Sequence, residues 1–191
     1  MPPAQRRSIL LLLAFAGCRS TNPTLYSLVV PPGPTLSGGP KVVAVREVSL
    51  AGYLDRQQIV RSSEDYRLTV SEDDWWGEPL GGMLTRVLVQ ALAQRLPRSS
   101  VIGADTAIRV MPDVTVEVSI QRLDANRDGM VTLVAQIAAG HRSGRREPAV
   151  RAFTTSVPPD GLDMRAHVAA ASVAVGRLAD ATAGMLQGKA S

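Results

Sequence analysis

Across Asp113–Arg122 apolar and polar residues alternate up to the polar pair Gln121-Arg122. Val114, Val116, Val118 and Ile120 share one side, while Thr115, Glu117, Ser119 and Gln121 share the other. Successive side chains of a strand point to opposite faces, so this register specifies one buried and one wet face. A sheet wet on one side is typical of antiparallel strands, because wholly parallel sheets are covered on both faces. Asp124–Gly129 follows as a loop rich in turn residues, and Met130–Ala139 returns with Val131, Leu133, Ala135 and Ile137 in alternation. Gly140–Glu147 is a basic, glycine-containing turn, and Ala149–Val157 reads as a third strand. The spacing predicts an antiparallel meander.

The apolar face of such a meander must be covered, and two segments have the period to cover it. Pro79 suits a helix's first turn, where its missing N–H costs nothing. Leu84, Val87, Leu88, Ala91 and Leu92 then fall on one stripe, and Pro97 stops the helix near Leu96. The Ala-rich stretch Met164–Leu186 places Val168, Ala171, Val175, Leu178 and Thr182 on its inner stripe. Shorter strands are expected at Leu25–Val30, Lys41–Val48, Ile59–Arg61, Tyr66–Val70 and Val101–Ile102, with a proline- and glycine-rich loop at Pro31–Pro40. Lys41–Val48 is apolar on both faces and is expected to be central. Strands, helix, strands, helix is not the strict alternation of a doubly wound fold. It predicts an α+β domain, a mostly antiparallel sheet with two helices packed on one face.

Ahead of the domain stands Ser8–Cys18, SILLLLAFAGC, preceded by Arg6 and Arg7. Ile9–Ala16 is unbroken apolar chain, about half of the roughly 20 residues a spanning helix needs. Positive n-region, apolar run and small residues at Ala16-Gly17 have the form of a secretory signal. Phe15-Ala16-Gly17-Cys18 resembles a lipobox, with Phe15 where Leu, Val or Ala is usual. Cys18 is the only cysteine. It is expected to become the lipid-bearing N-terminus, palmitate included, after residues 1–17 are removed. Residues 18–24 then form a lipidated tether, and residues 25–188 a single periplasmic domain. Arg19 after the cysteine is compatible with delivery to the outer membrane. With no second cysteine the monomer has no internal disulfide, and its core must hold without one. Two units of the formal charge of +4 belong to Arg6 and Arg7, so nothing argues for a nucleic-acid partner.

No catalytic constellation stands out. Asp124-Ala125-Asn126-Arg127-Asp128-Gly129 matches the first half of a calcium loop, but its twelfth position is Ala135 and its flanks are strands. The same residues make a hairpin turn. His141 and His167 have no metal-ligand spacing. Glu72, Asp73, Asp74 and Glu78 read as a solvated acidic run. In a chain with 4% aromatic residues, Trp75-Trp76 calls for a reason. One indole is expected to cap the core and the other to meet solvent, a partner or lipid.

Two segments carry a resemblance to a known family. Tyr53-Leu54-Asp55-Arg56-Gln57-Gln58-Ile59-Val60 is similar to the Y-L-D-R-P-Q-[IL]-V segment of the ABC-transport auxiliary lipoproteins, the paraquat-inducible protein C family. Gln57 stands where the proline is usual. Trp76-Gly77-Glu78-Pro79-Leu80 resembles that family's W-x-E-P-L, which opens a helix, and Thr85-Arg86-Val87-Leu88 fits its R-V-L pattern. The resemblance implies a non-enzymatic accessory lipoprotein without cofactors. It implies anchoring on the periplasmic face of the outer membrane and work beside an MCE-domain protein in lipid transport. Homo-oligomers are compatible with it. Tyr53, Leu54, Asp55, Arg56, Trp76, Glu78 and Pro79 are its motif residues. The expectation is that Asp55 and Arg56 satisfy a turn and that Glu78 supports the helix start through the helix dipole. Rival readings are an assembly lipoprotein that docks on another envelope complex and a lipid-anchored hydrolase.

Overall fold

The computed structural model describes residues 22–104, 110–141 and 147–188. Cys18, the signal sequence and the middle of the basic turn at Gly140–Glu147 lie outside the described residues. The order is β1 (Thr24–Tyr26), β2 (Val42–Val45), β3 (Ser49–Leu50), β4 (Gln58–Ser62), β5 (Thr69–Trp76) and α1 (Leu80–Arg95). β6 (Ser100–Gly103), β7 (Val114–Ala125), β8 (Val131–His141), β9 (Ala149–Val157) and α2 (Met164–Leu186) complete it.

The predicted meander is present and organises the sheet. β7 and β8 pair antiparallel along nearly their whole length, and β8 pairs antiparallel with β9. Val114, Val116, Val118 and Ile120 are buried as their alternation requires, as are Val131, Leu133, Ala135 and Ile137. On its other edge β7 receives β2, β3 and the end of β4 in short parallel ladders. The long antiparallel ladders carry most of the pairing, and the parallel ones add the N-terminal strands.

Both helices cover one face. The predicted stripe of α1, Leu84 to Leu92, is buried, and so are Val168, Ala171, Val175, Leu178 and Thr182 of α2. One continuous core results, built mainly from Val, Leu and Ala, with Trp76 as its buried indole. α2 opens with Asp163, whose carboxylate accepts the Ala166 N–H at 2.8 Å, a normal N-cap bond.

Several boundaries differ from the sequence expectation. β1 stops at Tyr26 because the chain then leaves the sheet for α2. There the Val29 N–H donates to Ser172 Oγ at 3.1 Å, so Leu28–Val30 follow a helix and not a strand. Within Lys41–Val48 only Val42–Val45 forms a strand, β2, and β3 follows at Ser49–Leu50; β2 is internal, between β7 and β6. The β4–β5 hairpin is longer than expected. β5 runs through Glu72, Asp73 and Asp74, of which the first two are exposed and Asp74 is half-buried, along a near-edge strand. Asp124 belongs to β7 and is wholly buried; it is not a loop residue.

Candidate functional site

The two motif segments are distant in sequence and adjacent in the fold. Tyr53 and Leu54 lie in the turn before β4, and Trp76 ends β5, which lies antiparallel to β4 with Gln58 opposite Trp75. The Trp76 N–H donates to the Gln57 carbonyl at 2.7 Å, and the Gly77 N–H to the Tyr26 carbonyl at 2.8 Å. Between the segments lies a cleft of about 200 Å³ lined by Glu47, Asp55, Pro79 and Gly81, among others. Thr85 holds the α1 side of this cleft against the connection between β2 and β3. Its Oγ1 accepts the Val48 N–H at 2.9 Å and donates to the Gly81 carbonyl at 2.8 Å. A Cβ on Gly81 would stand 3.2 Å from the Val48 carbonyl, so the helix start sits close on the chain that enters β3.

The motif residues divide by what they touch. Leu54 and Trp76 belong to the core. Pro79 is the N-cap of α1, and its carbonyl accepts the Met83 N–H at 3.0 Å. Glu78 stands one residue before the cap and pairs with Arg86 across the start of the helix. Both side chains are well exposed, so that pair adds at most about 1 kcal/mol. Asp55 and Arg56 are exposed, and neither side chain hydrogen-bonds another described residue. Their turn is held by backbone instead, Leu54 N–H to Ala51 carbonyl at 2.8 Å and Arg56 N–H to Leu54 carbonyl at 2.9 Å. This corrects the expectation that the two charges satisfy the turn. Trp75 is half-buried, and its indole N–H donates to the Glu72 carbonyl at 3.0 Å.

Tyr53 has a role that its motif alone did not reveal. Its hydroxyl donates to Asp124 Oδ2 at 2.8 Å, as does Ser63 Oγ at 2.8 Å. Arg122 Nε reaches Asp124 Oδ1 at 2.9 Å, and Arg122 Nη2 reaches Glu64 Oε1 at 2.6 Å. The carboxylate is fully removed from water, and a buried charge persists only when paired and hydrogen-bonded. Burial pushes the Tyr53 hydroxyl up to about 12, and its bond to Asp124 adds to the rise. Burial pulls the Arg122 guanidinium down, but Glu64 and Asp124 outweigh it and hold it above its ordinary value. One network thus ties the first motif turn, the β4–β5 connection and the end of β7.

Sequence reading also missed Arg95. It is 1% exposed in the last turn of α1, where an arginine ordinarily reads as a partner of the helix dipole. Its side chain instead crosses to α2. It pairs with Asp180 and donates to the carbonyls of Gly176 at 3.1 Å and Ala91 at 3.2 Å. Position 95 continues the buried stripe three residues after Leu92, and that spacing was the available signal.

Among the described residues no group of three or more His, Cys, Asp or Glu side chains could hold a metal ion. The Asp124 segment serves as a hairpin turn. Asn126 Oδ1 accepts the N–H groups of Asp128 and Met130, each at 3.0 Å, and Gly129 adopts a φ of 75°. Among the described residues no helix is long and apolar enough to cross a membrane.

The domain places two helices on one face of its sheet and brings both motif segments to one junction. Residues 26–183 match the family of ABC-type transport auxiliary lipoprotein components, and the chain belongs to that family. It is similar to the intermembrane transport lipoprotein PqiC of Escherichia coli (strain K12), 28% identical over 135 residues. That match covers 68% of this chain and 71% of the relative. The protein of the same name from Shigella flexneri matches equally. Among solved structures, the fold is shared with an uncharacterized protein at a TM-score of 0.73 and 18% identity, covering 86% of this chain and 99% of that one. A protein from Xanthomonas campestris shares it at 0.71 and 20%, covering 85% and 95%.

Proposed function

We propose that this chain is a non-enzymatic accessory component of an intermembrane lipid transport system. In this reading residues 1–17 are a signal peptide and Cys18 carries the lipid. Residues 18–24 are the tether, and the domain of residues 25–188 stands on the periplasmic face of the outer membrane beside an MCE-domain protein. The family match across residues 26–183 is the observation that carries the reading. The name of the Escherichia coli relative, an intermembrane transport lipoprotein, agrees with it. Asp55 and Arg56 support a docking role, because they are exposed charged motif residues beside a cleft while the other motif residues pack, cap or pair.

Two measurements test this. A Cys18→Ser variant should remain as uncleaved precursor or leave the membrane fraction; normal processing with unchanged membrane association would overturn the lipid anchor. A photo-crosslinker at position 55 or 56, in the native envelope, should capture an MCE-domain protein. Capture of a secretion or outer-membrane assembly component instead would replace the transport role with a docking role in that machine.

A further inference from the structure

Three connections converge at one end of the sheet: residues 63–68 between β4 and β5, 126–130 between β7 and β8, and 158–163 between β9 and α2. Ser62 pairs with Ala125 there, and a cleft of about 340 Å³ is lined by Ser62, Thr69, Gly129, Pro159 and Leu162. Arg127 of the second connection pairs with Asp65 and reaches Glu64 at 3.5 Å, bracing it to the first. The tips of this braced end are apolar. Tyr66 and Leu162 are 110% and 99% exposed, and Leu68 is 43% exposed. Asp65 and Tyr66 hold φ values of 55° and 61°, the left-handed region that residues other than glycine rarely occupy. That backbone turns the Tyr66 ring outward instead of folding it onto the core.

Asn22 and Pro23 lead into β1 from the side of this same end. β1 is parallel to β5, with Thr24 opposite Asp74, so the N-terminal end of β1 is directed toward the start of β5 at Thr69. Six residue steps separate Cys18 from Thr24, a reach of at most about 20 Å. Resting on the proposed lipid anchor at Cys18, we infer that this end of the domain faces the bilayer, and that Tyr66 and Leu162 enter its interfacial layer. A short tether on this side holds the apolar tips within reach of lipid. Tyrosine suits the headgroup level, where its ring is buried and its hydroxyl stays wet. The charges around the tips have both signs, Arg61, Arg67, Arg127 and Arg165 against Glu64, Asp65, Asp128, Asp160 and Asp163. Apolar insertion, rather than attraction to anionic lipid, is therefore the contact this end offers.

The acylated full-length protein can test this, because Cys18 would carry no free thiol. Tyr66→Cys, Leu162→Cys and, at the opposite end of the sheet, Glu147→Cys are each labelled with an environment-sensitive fluorophore. The proteins are reconstituted into phosphatidylethanolamine–phosphatidylglycerol vesicles with and without spin-labelled lipid. Emission from positions 66 and 162 should shift to the blue and lose most of its intensity to the quencher, with position 147 unaffected. Vesicle flotation without quenching at 66 and 162, or with equal quenching at 147, overturns the orientation and leaves the anchor standing. Failure of the protein to float with vesicles overturns the anchor and the orientation together.

Discussion

Replacing Asp124 by Asn keeps the shape of the side chain and removes its charge. The carboxylate accepts from Tyr53 and Ser63 at 2.8 Å and from Arg122 at 2.9 Å, at full burial. In the amide an NH2 group replaces one oxygen; with the remaining oxygen kept on Arg122, the Tyr53 and Ser63 hydroxyls must turn from donating to accepting, and Arg122 loses a buried charge opposite it. Arg122 keeps Glu64 and the Ala125 carbonyl, and some access to water. The cost is therefore at the lower end of the range for breaking a buried charge pair, about 3 kcal/mol. For a domain of this size that lowers Tm by about 6–12 °C. Tyr53→Phe removes one donor to a charged acceptor and should cost about 1.5 kcal/mol. Thermal melts by circular dichroism on both single variants and the double variant give the coupling. The double variant should be less destabilised than the sum, because Tyr53 loses its acceptor's charge in the Asp124→Asn background. A Tm within 2 °C of the parent for Asp124→Asn, or strict additivity, would refute the assignment of this network as a structural tie.

Three further outcomes follow from the same geometry. The Tyr53 hydroxyl titrates near 12 in the fold against an ordinary value of 10.0, so the unfolded chain releases its proton first. Stability should fall as pH rises from about 10 toward 12, and urea midpoints should show a smaller loss in Tyr53→Phe. His167 is held below its ordinary 6.5, first by burial and then by Arg61. Its contribution should be complete above about 6.5 and decline as pH falls below that value, and His167→Gln should flatten this acid limb in the same urea series. Gly176→Ala would gain helix propensity, yet the new Cβ would lie 2.2 Å from the Pro31 ring. Overpacking should win by about 1–3 kcal/mol, read as a lower Tm and faster hydrogen exchange at Leu28–Val30.

Much of the architecture was legible because it repeats locally. The alternation of Val114–Ile120 and the stripe of Leu84–Leu92 depend on neighbouring residues alone, and both lie where their periods put them. The departures arise where a distant partner decides. Leu28–Val30 has strand composition, but Met83 and Ser172 take its backbone N–H groups. Glu72–Asp74 has loop composition, but pairing with β4 and β1 extends it. Asp124 reads as a turn residue because turns are its commonest setting, and only the approach of Tyr53 across 71 residues of chain makes a buried site for it. In the motif, type and position were readable, but division of labour was not. Asp55 and Arg56 read as turn-makers, and the backbone makes that turn without them.

The first strand gives the fold a mechanical character. β1 is three residues long and lies along β5, so a pull on Asn22 runs down the strand axis. The β1–β5 ladder, the Gly77–Tyr26 bond and the grips of Met83 on Leu28 and Ser172 on Val29 then stretch in shear and share the load. A strand pulled across its axis would instead give up its bonds one after another. Drag on the domain from its N-terminal side is thus resisted by a rivet rather than a zipper, although the strand that takes it is among the shortest in the sheet.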